Sequence, residues 1–184
     1  FFKQKTAYEM LRSLVGSEMC IRDRLVNNYG ADFMRMSTVF YRKKDYDNAI
    51  KYMKKALDFI QDKDRYIPSL SNLYYEIGDY ENAYKTISPL IAKKSNDGQI
   101  VYLASTYLDK AGKIEDALSL LENFISNNPH EKYFVSRYVS ICKNNKKYQQ
   151  GLNFVNKILE ENPQDKNLLK YKSEFENIIK GIGN

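Results

Sequence analysis

A single histidine, His130, and two distant cysteines, Cys20 and Cys142, leave little from which to build a reactive centre. Histidine-paired nucleophiles, histidine-rich metal sites and a disulfide framework are all disfavoured. His130 follows Pro129 in what reads as an exposed turn, and Cys142 falls at an apolar helical position, where a buried, inert thiol is expected. The few glycines do not cluster into a loop that would cradle phosphate. No run approaches the roughly 20 apolar residues needed to cross a bilayer, so membrane insertion is not expected. The net charge of +6 is modest, and no long block of like charges provides a nucleic-acid grip. No cofactor, metal or catalytic constellation is expected.

Tryptophan is missing altogether while tyrosine occurs 16 times, a bias that fits an AT-rich coding sequence. Residues 1–24, FFKQKTAYEMLRSLVGSEMCIRDR, show neither helical periodicity nor the ordered parts of a signal peptide. KQKTAYE with Met10 resembles an in-frame translation of a sequencing-library adapter. SLVGSEMCIRD with Arg24 resembles the matching transposon adapter. The segment is accordingly set aside as foreign; without its five basic and three acidic residues the charge falls to +4. On this reading the native N-terminus is absent, and the compartment is legible only as a cytoplasmic default.

From Leu25 onward the chain repeats. YDNAIKYMKKAL, YENAYKTISPLI, IEDALSLLENFI and YQQGLNFVNKIL align with a small residue at Ala49, Ala83, Ala117 and Gly151, a constant spacing of 34. A small residue suits the point where two helices of a hairpin cross; Gly151 gives up about 1 kcal/mol of helix propensity there. Apolar positions recur at the same period. In the first helix they are Phe33, Ile67, Val101 and Val135, then Met36, Leu70, Ala104 and Tyr138, then Phe40, Tyr74, Leu108 and Cys142. In the second they are Met53, Ile87, Leu121 and Val155, then Ala56, Leu90, Phe124 and Ile158. Spacing of three and four residues predicts one buried stripe per helix. Gly78-Asp79 and Gly112-Lys113 mark turns within hairpins, and Pro129 and Pro163 mark breaks between them. Pro89 is expected to kink or shorten its helix.

This pattern resembles the tetratricopeptide-repeat (TPR) family over about residues 30–165. The family's first-helix tryptophan is missing, and Ser37, Ser71, Ser105 and Val139 stand at its glycine position. The resemblance implies an all-α, right-handed superhelical solenoid of about four helix-turn-helix units within residues 25–163. The repeats run over about 30–63, 64–97, 98–131 and 132–165. A C-terminal capping helix at 165–182 follows, with Leu168, Tyr171, Phe175, Ile178 and Ile182 as its apolar stripe.

The resemblance further implies a non-catalytic scaffold that binds a protein or peptide in a concave groove lined by the first helices. Carried onto this chain, the groove residues are Arg35, Thr38, Tyr41 and Arg42; Arg65, Asn72 and Tyr75; Tyr102 and Thr106; and Tyr133, Arg137 and Lys143. Tyrosine supplies contact area, and the excess of Arg and Lys over acid favours an acidic partner or a C-terminal carboxylate. The carboxylate clamp of chaperone-binding members is not reproduced, because only Asn72 and Arg137 stand at its offsets. Two further readings stay open. The repeats can be the docking region of a larger enzyme or sensor whose active domain precedes Leu25. Nucleic-acid binding by a helical array is the other, disfavoured by the dispersed charge.

Overall fold

The computed structural model describes residues 29–182, and the adapter-like segment 1–24 lies outside them. The first helix, α1, covers residues 29–42. It is followed by α2 (Tyr46–Phe59), α3 (Ile67–Glu76), α4 (Tyr80–Lys93), α5 (Gly98–Lys110), α6 (Ile114–Asn127), α7 (Lys132–Asn144), α8 (Tyr148–Glu161) and α9 (Lys166–Ile182). A 3-10 turn, Lys63–Arg65, precedes α3, and no strand occurs among the described residues. The architecture is that of an all-α helical repeat.

Each hairpin turns in the same way. Residues 44, 78, 112 and 146, one period apart, are all left-handed, with φ of 60, 78, 75 and 57°. At each turn the amide of that residue donates three residues back and the next amide donates five residues back. Gly112 N reaches Asp109 O at 3.1 Å and Lys113 N reaches Leu108 O at 2.9 Å; Lys146 N and Lys147 N do the same to Lys143 O and Cys142 O. This closes the last carbonyls of the first helix. Glycine takes the conformation freely at 78 and 112, whereas Lys44 and Lys146 hold it against their own Cβ. The second helices of the first two hairpins start on a repeated aspartate cap. Asp45 accepts from Asn48 N at 3.2 Å and Asp79 from Asn82 N at 3.1 Å.

The chain divides into two compact units within α4, between Thr86 and Ile87. In the first, Ala49, Ile50 and Met53 of α2 form one core with Leu70 and Leu73 of α3, flanked by Met34, Phe40, Leu57 and Tyr74. In the second, α5 packs on α6, α6 on α7, α7 on α8 and α8 on α9. Its largest fully buried side chains include Tyr107, Tyr138, Leu118, Leu121 and Phe175. Tyr138 stacks on Phe154 at 3.7 Å and donates from its hydroxyl to Glu122 at 2.5 Å, and burial raises its ionisation well above the tyrosine range.

Three expectations change against this structure. Met36 was expected in the core with Leu70, Ala104 and Tyr138, but it is 40% exposed because no neighbouring helix among the described residues covers that face of α1. Pro89 does not shorten α4, which runs for the same 14 residues as α2, α6 and α8. Its ring is exposed, so it lies where one lost backbone donor disturbs no packing. Gly151 is more than a propensity loss. An ideal Cβ there would stand 2.4 Å from Phe175 Cζ, so the aromatic ring of α9 occupies the space an alanine would need.

The serines at the family's glycine position are buried and satisfied. Ser37 Oγ donates to Ala49 O at 2.8 Å, Ser71 Oγ to Pro68 O at 2.9 Å and Ser105 Oγ to Tyr102 O at 2.9 Å. Small size admits the neighbouring helix, and a nearby carbonyl meets the hydroxyl's need for a partner.

Candidate functional site

In the first unit, α1 and α3 present side chains to a shared cleft. Met34, Ser37, Thr38 and Tyr41 line it from α1, Met53 from α2, and Ser69, Asn72 and Leu73 from α3. The 3.6-residue period puts positions 34, 38 and 41 on one face of α1. Thr38 donates back to Met34 O at 3.0 Å, and Tyr41 leans edge-on against Tyr46 with ring centroids 5.8 Å apart. The Asn72 side-chain amide makes no hydrogen bond among the described residues. The cleft therefore combines an apolar floor with an unspent amide and a phenol at its rim.

The other expected residues of this unit differ in role. Arg35 is exposed and pairs with Asp32 at 2.8 Å. Arg42 is exposed and forms no ion pair among the described residues. Arg65 lies in the 3-10 turn rather than on α3, its guanidinium 5.7 Å from the Tyr66 ring. Tyr75 is half-buried against Tyr80, ring centroids 5.4 Å apart.

In the second unit, the structure brings Tyr102, Thr106, Tyr133 and Arg137 together. Arg137 Nη2 donates to Thr106 Oγ1 at 3.1 Å and stands 3.6 Å from Asp109 Oδ2, its guanidinium 5.6 Å from the Tyr102 ring centroid. Both ends of that ion pair are largely buried, at 19% and 13% exposure. Asn145 donates to the other Asp109 oxygen at 3.0 Å. Tyr133 is exposed beside Tyr102, ring centroids 5.9 Å apart; desolvation and the Tyr102 hydroxyl raise its ionisation above the ordinary value. Lys143 pairs with Glu174 of α9 and lies 5.6 Å from the Tyr171 and Phe175 ring centroids. Arg137 and Lys143, two of the expected groove cations, are each paired with a carboxylate of the chain itself.

Asp109 and Glu174 were not among the residues expected to shape this face. Asp109 stands one period after Tyr75 and two after Tyr41, so a carboxylate there was visible in the repeat register. Glu174 was visible only as one of several charges on the last helix.

Cys142 is fully buried, and burial, with Glu115 and Glu122 adding to it, pushes its thiol up to about 12. His130 is exposed. Among the described residues no group of three or more His, Cys, Asp or Glu is placed to hold a metal ion, and no helix is long and apolar enough to cross a membrane.

A family model described as anaphase-promoting complex, cyclosome, subunit 3 matches residues 42–124. Among solved structures, the chain resembles a tetratricopeptide repeat protein from Parabacteroides merdae, with a TM-score of 0.64 and 15% identity over 84% of this chain. The match spans 61% of that protein's length. It also resembles MamA from Desulfovibrio magneticus, with a TM-score of 0.60 and 15% identity over 83% of this chain and 86% of that one. A second MamA structure gives a TM-score of 0.59 at 14% identity, covering 80% of both chains. No curated protein matches the sequence. At these identities the structural matches speak to the fold.

Proposed function

We propose that the chain, whose fold resembles tetratricopeptide-repeat structures, is a non-catalytic scaffold that holds a protein segment in extended form against its first helices. Within that surface the cleft between α1 and α3 is the principal binding site. The observation that carries this reading is the contrast between the units. Asn72 and Arg42 are uncommitted among the described residues, whereas Arg137 and Lys143 are paired with Asp109 and Glu174, and the one donor Arg137 leaves without a partner, Nε, is buried. A partner therefore gains new hydrogen bonds and ion pairs at Thr38, Tyr41, Arg42 and Asn72 without breaking internal ones. Acidic side chains in the partner would be read by Arg42 and Arg65, whose charges stand exposed.

The test uses peptides selected by display against the full chain, with the site mapped by amide chemical shifts. The expected result is shifts confined to α1, α3, the 3-10 turn before α3 and the neighbourhood of Met53 on α2. Asn72→Ala and Tyr41→Ala should each weaken binding by about 5-fold or more while the melting temperature holds, as loss of a central hydrogen bond or aromatic contact does. Selected peptides that map to the outer faces of α6 and α8 would sink the proposal.

A further inference from the structure

One face of α1 lies outside the groove and outside the core. Asp32, Met36, Val39 and Lys43 follow one another in steps of four, three and four residues, the spacing of a single helical seam. All four are exposed, Met36 by 40% and Val39 by 48%. The 34-residue register shows how the later helices use the same positions. The residues equivalent to Met36 are Leu70, Ala104 and Tyr138, and those equivalent to Val39 are Leu73, Tyr107 and Ile141; none is more than 7% exposed. α2 covers this face of α3, and α6 covers it on α7. On α1 the same apolar positions meet no helix among the described residues.

The seam also reads the same in both directions. A second helix laid antiparallel across it, with a two-fold axis between Met36 and Val39, sets Met36 against the other helix's Val39. The same axis sets Asp32 against the other helix's Lys43, twice over. Lys43 has no ion pair among the described residues, and Asp32 has only its exposed neighbour Arg35, a surface pair of little worth. The face is therefore complementary to itself in both hydrophobicity and charge, the requirement of an isologous contact. We propose that this seam of α1 docks on the same seam of a second copy of the chain, forming an antiparallel homodimer. One short helical seam lies at the low end of specific interfaces, so the dimer is weak and concentration-dependent.

Sedimentation velocity on the full chain, from micromolar to millimolar, tests this. The unmodified chain should pass from monomer to dimer, and amide exchange at residues 32–43 should slow over the same range. Asp32→Lys alone and Lys43→Asp alone should each remain monomeric, because each places like charges face to face. Mixed together they should associate, because both cross-pairs are then opposite in charge. An unmodified chain that stays monomeric throughout overturns the proposal. So does a dimer that both single variants retain, or one that forms without slower exchange at residues 32–43, since each places the contact elsewhere.

Discussion

Gly151 sits where its three counterparts are alanine, and the Phe175 ring fills the missing side chain's place. On helix propensity alone Gly151→Ala would stabilise by about 1 kcal/mol. The 2.4 Å approach reverses the sign, and overpacking should instead cost about 2 kcal/mol in denaturant unfolding. Phe175→Leu in the same chain should relieve much of that loss, leaving the double variant more stable than the sum of its parts. The left-handed lysines give the opposite case. Lys44 and Lys146 keep a positive φ that Gly78 and Gly112 adopt without strain. Lys146→Gly should therefore raise stability by up to about 1 kcal/mol. Gly112→Ala should lower it, although nothing lies within 4 Å of its Cβ position, because the strain is in the backbone.

Helix α9 is fixed at its start by Asp165. The carboxylate accepts from Asn167 N at 2.9 Å and Leu168 N at 3.3 Å, and Lys132 of α7 donates to it at 2.7 Å. Lys132 and the two amides hold its pKa below the ordinary 3.8. A lowered carboxylate pKa contributes stability that is complete above the ordinary value and is lost as pH falls through the lowered one. Acid should therefore loosen α9, and the loss should begin below about pH 4. Asp165→Ala should cost about 1 kcal/mol at neutral pH and flatten that part of the stability profile. Thermal melts at several acidic pH values check both. A variant as acid-sensitive as the parent would show that other carboxylates govern the response. Across α6 and α8, Lys147 and Gln150 similarly lower the Glu115 pKa, so this carboxylate adds to the same acid slope.

Over the whole molecule, the arginines and lysines on the first helices divide into structural and available ones. Arg137→Ala would leave Asp109, only 13% exposed, without its cationic partner, and should cost about 2 kcal/mol of stability. Arg42→Ala should leave stability within experimental error and weaken binding of an acidic peptide. Chemical denaturation and peptide titration of the two variants separate these roles. The period of 34 determined the helix pairs, the small residue at each crossing and the burial of Cys142, because each depends on a local pattern repeated four times, whereas glycine marks only two of the four turns. It did not determine which apolar residue would be left uncovered, since burial of Met36 requires a helix beyond its own hairpin. Nor did it separate Arg42 from Arg137, because both stand as cations in the repeat and only the placement of Asp109 distinguishes them. Local periodicity fixes which face a side chain takes; what that face meets is decided by helices brought together from distant parts of the chain.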